Sequence, residues 1–147
     1  MGLFIRKKQK NETENIDIIE INALKNANTA INYAKSFEKK FDYSENSLNG
    51  LEEILNYYSE DIPKSKPTEN QIWSMALIFG SYLGELMLKK GLSKKCYKWK
   101  KNSDSNIPLL ANENGSYITP IDKVYKRLVN GNEDNIISFY DIVMELN

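Results

Sequence analysis

The sequence predicts an α+β fold: a single domain in which four to five helices pack around a small three-stranded antiparallel meander. Three observations carry that expectation. Gln71 to Gly91 reads QIWSMALIFGSYLGELMLKKG, one long apolar helix with two glycines four residues apart and a lone acid after the second. Beyond Gly91 the apolar spacing changes from a helical period to short extended runs divided by turn residues. Helical spacing then returns after Pro120.

Taken in order, residues 1–15 are basic, then acidic, and lack periodicity, so they are read as a flexible N-terminal arm ahead of a domain over 16–147. Leu24, Ala27, Ile31, Ala34 and Phe41 fall mostly three or four apart, which predicts a helix from about Ile18 to Lys40. A second helix is capped by Ser44 or Ser47. Leu48, Leu51, Leu55 and Tyr58 form its apolar face, Glu52 and Glu53 face water, and Pro63 and Pro67 close it. Thr68 and Gln71 make a capping box for the central helix, because each side chain can satisfy the other's free backbone N–H.

Cys96 to Lys101 alternates Tyr97 and Trp99 with lysines, Ile107 to Asn112 is a second extended run, and Asn114-Gly115 before Ser116 to Thr119 signals a hairpin. Thr119 is then the expected cap of a fourth helix, with Pro120 at its first position and Ile121, Val124, Tyr125 and Leu128 on one face. Gly131 stops it, and Asn132 starts a last helix striped by Ile136, Ile137, Tyr140, Val143 and Met144.

The totals exclude several chemistries. With 147 residues the chain fits one core. Cys96 is the only cysteine and histidine is absent, so no intrachain disulfide, Cys/His zinc set or His-based triad can be built. Met75 to Leu88 is interrupted by Ser81, Gly84 and Glu85 and is shorter than the roughly 20 residues a bilayer span needs. The expectation is a cytoplasmic protein with no membrane segment, no cofactor and no metal.

The candidate residues each have a structural and a functional reading. Gly80 and Gly84 cost roughly 1 kcal/mol each against alanine in an exposed helix, so close approach of something must compensate, either a neighbouring element or a ligand. Glu85, alone in an apolar run, needs a hydrogen-bond or charge partner if buried; the strand around Trp99 and the residues Tyr125, Lys126 and Arg127 are the expected sources. Between Lys89 and Lys101 lie seven lysines, no acid, and the aromatics Tyr97 and Trp99, a mixture suited to phosphate neutralisation and base stacking, or to guarding a sheet edge. Asp42 to Pro63 holds six acids and no basic residue, which is either a solvated helix face or a face for a basic protein.

Ser44-x-x-Ser47-Leu48-x-x-Leu51-Glu52, Gly80-x-Tyr82-Leu83-Gly84-Glu85, Trp99 and Pro120-x-x-Lys123-x-x-Lys126-Arg127-Leu128-x-Asn130-Gly131 occur in that order. Together they resemble an uncharacterised family of small bacterial domains, with the Gly-x-Tyr-Leu-Gly-Glu helix followed by a tryptophan strand as the most distinctive part. The resemblance spans Asp42 to Met144 and implies the fold without an activity. Gly80, Tyr82, Gly84, Glu85 and Trp99 are therefore the residues with a structural or functional role. The functional expectation is a non-enzymatic, cytoplasmic protein-binding domain of immunity or inhibitor type, meeting a basic protein through Glu45, Glu52 and Glu53. The alternative is nucleic-acid or phosphate binding through Lys89 to Lys101.

Overall fold

The computed structural model describes residues 2–147, with side chains from Ile18 onward. Five helices surround one three-stranded antiparallel sheet in an α+β domain. The helices are α1 (Gly2–Ser36), α2 (Asn46–Ser65), α3 (Glu69–Lys90), α4 (Pro120–Asn130) and α5 (Ile136–Leu146). The strands are β1 (Lys98–Lys100), β2 (Leu109–Ala111) and β3 (Tyr117–Ile118). The side chains of the N-terminal arm expected at residues 1–15 lie outside the described residues.

The central element is α3, and its start is built as the sequence predicts. Thr68 Oγ1 accepts from the Gln71 N–H at 3.2 Å while Gln71 Oε1 accepts from the Thr68 N–H at 2.8 Å. From Phe79 to Met87 every residue of α3 is buried, because α1 and α4 pack against it and Trp99 of β1 lies over Gly84. Ile72, Ala76, Phe79, Leu83 and Met87 belong to the core, and Trp73 is half-buried, stacked on Tyr125 of α4 with ring centroids 4.0 Å apart.

The face α1 turns inward differs from the expected one. Ala23, Ala27, Ala30 and Ala34 are buried, while Leu24 is 42% exposed and Ile31 only partly covered. A stripe of alanines lets the backbone of α1 lie close along α3. The helix also ends at Ser36 rather than Lys40, since Glu38 takes a left-handed conformation (φ 56°) that a helix cannot contain.

The second helix runs past Pro63, two residues further, to end at left-handed Lys66. In the last turn the proline forfeits one hydrogen bond without breaking a long ladder. Its start is held by Ser44, whose hydroxyl accepts from the Ser47 N–H at 3.2 Å, although the boundary residue itself is Glu45.

The meander is antiparallel throughout, with Trp99 opposite Leu110 and Leu110 opposite Ile118 on the inner face. All three are buried. The opposite face carries Lys98, Lys100, Leu109, Ala111 and Tyr117, as the two-residue alternation of a strand requires. Cys96 lies outside β1; it closes a 3-10 turn over Leu92–Lys95 in a left-handed conformation. Pro120 opens α4 as expected, but Thr119 makes no side-chain cap. Asn132 begins only a 3-10 turn, and the cap of α5 is Asn135, whose Oδ1 accepts from the N–H groups of Ile137 and Ser138.

Candidate functional site

The glycines of α3 are explained by what lies over them. A Cβ on Gly80 would sit 2.5 Å from Ile121 Cα, so α4 crosses there at backbone distance. A Cβ on Gly84 would fall inside the Trp99 ring, with Pro120 Cγ close by. Gly84 is therefore the seat of the indole. One residue on, Glu85 is 7% exposed, and its Oε2 accepts from Trp99 Nε1 at 2.8 Å. Successive positions of one helix thus take the face and the polar edge of the same ring. The other carboxylate oxygen lies 3.7 Å from Lys89 Nζ, one turn later, and that ammonium also sits 4.6 Å from the centre of the Tyr43 ring.

Tyr82, fully buried, is stacked between Phe41 and Tyr43 at centroid distances of 4.5 and 4.8 Å. Its hydroxyl accepts from the Tyr43 N–H at 2.9 Å and shares a 2.7 Å hydrogen bond with Ser47 Oγ. This one side chain ties the 41–47 connection to α3. Tyr43 itself has φ 62°, a conformation costly for a bulky residue, which the stack and the hydrogen bond hold in place. Its phenol is pushed up to about 12 by burial, then by the nearby charge of Glu85 and by Tyr82. Burial likewise raises Tyr82. Both phenols keep their protons at neutral pH, and both oxygens of Glu85 face partners.

Of the three acids expected at a docking face, Glu52 lies elsewhere. It turns onto Arg127 of α4, which is 1% exposed: Nε donates to Glu52 Oε1 at 2.9 Å and Nη2 to Oε2 at 2.7 Å. Nη2 also donates to Asn56 Oδ1 at 2.8 Å, and the Ile136 N–H donates to Glu52 Oε1 at 3.2 Å. Glu52 is thus a staple between α2, α4 and the start of α5. Its sequence signal was Arg127, one of two arginines in the chain, standing at helical spacing among Val124, Leu128 and Gly131. Glu53 and Glu45 are exposed, and Glu53 pairs with Lys39.

The lysine-rich segment separates into two surfaces. Lys94, Lys95, Lys98, Lys100 and Lys101 are exposed, whereas Trp99 is 2% exposed and turned to the core, so it offers no face for stacking a base. The exposed aromatic on the outer sheet face is Tyr117, at 67%. An open groove of about 580 Å³ beside it is lined by Lys101 but also by Asp104 and Asp122. Among the described residues no group of three or more His, Cys, Asp or Glu could hold a metal ion, and no helix is long and apolar enough to cross a membrane. Compared with protein-family models, curated proteins and solved structures, the chain matches none of them.

Proposed function

We propose that this chain is a non-enzymatic, cytoplasmic protein-binding domain of inhibitor or immunity type whose partner is a basic protein. The observation that supports this reading is how the carboxylates are distributed. Glu85 and Glu52 are engaged by Trp99, Lys89 and Arg127 inside the fold. Glu45 remains exposed without an ion pair among the described residues, and Glu53, paired at the surface with Lys39, keeps 62% of its side chain in water. An exposed pair contributes about 0–1 kcal/mol, so an incoming cation can replace Lys39 at little cost.

The test is association kinetics with a partner purified from the native cells. Changing Glu45 and Glu53 to Lys should slow association at least about tenfold at low salt, with the difference shrinking as salt rises, because steering charges act on encounter. A partner that binds both variants at the wild-type rate would remove the acidic face from the proposal.

A second reading rests on Lys98, Lys100 and Tyr117 sharing the outer sheet face. It predicts micromolar binding of single-stranded DNA or RNA at about 0.15 M salt, lost in Lys98→Glu with Lys100→Glu. Fluorescence anisotropy with labelled oligonucleotides decides, and the expected result is no binding.

A further inference from the structure

The outward side of α5 is unlike the rest of the surface. Asp141, Ile142, Glu145 and Leu146 are all exposed, Ile142 at 58% and Leu146 at 80%. Residues four apart lie above one another on a helix, so these form two parallel edges: Asp141 over Glu145, and Ile142 over Leu146. Ile136 and Tyr140 point the other way into the core.

The acidic edge makes no ion pair among the described residues. The apolar edge runs into an open groove of about 440 Å³, where Val143 and Leu146 face Tyr97, Tyr117 and Ile118. Here β3 is an outer strand of the sheet and carries no lysine, unlike β1 at the opposite edge. No basic residue follows Arg127 in the sequence, so nothing on α5 offsets its acids.

We propose that this face, the outward side of α5 together with the groove beside β3, docks a basic amphipathic segment of the protein partner. The proposal rests on the protein-binding reading above and places its surface. Charge selects the occupant: Asp141 and Glu145 attract cations and steer their approach, while Ile142, Leu146 and Tyr117 receive apolar side chains set beside them. A second copy of the chain fits poorly, because its α5 brings the same acids and no basic residue to meet them.

The probe is an 18-residue amphipathic peptide of lysine and leucine, titrated into the full 15N-labelled chain, with a glutamine/leucine peptide as the uncharged control. Shift changes should concentrate at Tyr117 and 138–146. Asp141→Lys with Glu145→Lys, and separately Ile142→Ser with Leu146→Ser, should each weaken binding at least tenfold, and the control peptide should bind at least tenfold more weakly. Shifts centred elsewhere, no binding, or equal affinity of either variant would overturn the proposal. So would concentration-dependent shifts at 138–146 without peptide, which would make a second copy the occupant. If a partner purified from native cells binds both α5 variants as tightly as wild type, this surface fails while the protein-binding reading stands.

Discussion

Gly84 and Trp99 show how one position can depend on another element entirely. Any side chain at Gly84 must displace the indole, and with it the donor that satisfies Glu85. Gly84→Leu should destabilise by about 1–3 kcal/mol through overpacking, with the Trp99 indole N–H resonance moving at the same time. An unchanged thermal midpoint would show that the ring can move aside freely. At the staple, Glu52→Ala leaves Arg127 buried without its counter-charge, in a site where Nη1 already lacks a protein partner. The expected loss is about 3–5 kcal/mol, and Glu52→Leu with Arg127→Met should recover most of it, because an apolar pair of similar volume needs no desolvation. Equal losses in the single and double variants, read by urea unfolding, would assign the effect to packing alone.

At the scale of an element, the cap of α3 is local chemistry and is legible in the sequence, whereas Thr119 makes no side-chain cap and Asn135, not Asn132, caps α5. The Thr68/Gln71 box requires only residues three apart, and it stands as the sequence predicts. Thr68→Ala should cost about 1 kcal/mol, seen as a lower urea midpoint with an unchanged denaturant slope; no shift would mean that packing of α3 carries its start unaided. The helix ends were less legible. The sequence marks Pro63 as a stop and Asn132 as the start of α5, whereas Pro63 sits within α2 and Asn135 caps α5. A proline, with φ fixed in the helical range, fits a last helical turn as well as a stop, and an asparagine fits a turn as well as a cap, so the choice follows from where the flanking helices must dock.

For the molecule as a whole, five phenols share one direction. Tyr43 is pushed up to about 12, and Tyr58, Tyr82, Tyr125 and Tyr140 are also raised. A free phenol ionises near about 10, so above that pH the unfolded chain loses protons the folded one still holds. Their contribution is therefore complete below about pH 10 and is lost above it, for Tyr43 as pH climbs toward about 12. The urea midpoint should fall above about pH 10, while absorbance near 295 nm shows late-ionising tyrosines; a flat midpoint would contradict the burial that raises Tyr43, Tyr58, Tyr82 and Tyr140 and the Glu69 hydrogen bond that raises Tyr125.

What the amino-acid sequence determined by itself was the type and order of the elements: the helices, the meander, the central place of Gln71 to Gly91, and the need of Gly84 and Glu85 for close partners. Periodicity, caps and turn residues act over a few positions, so they survive without knowledge of the fold. Only the tertiary structure decided which faces meet. Glu52 looked solvent-facing because Arg127, its partner, is 75 residues away. Ala23, Ala27, Ala30 and Ala34 displaced Leu24 from the core because α3 approaches closely there. The apolar edge of α5 has a groove beside Tyr117 only once β3 and α5 are assembled. Charge and apolar surface at such distances are combined by packing, and no local pattern encodes that combination.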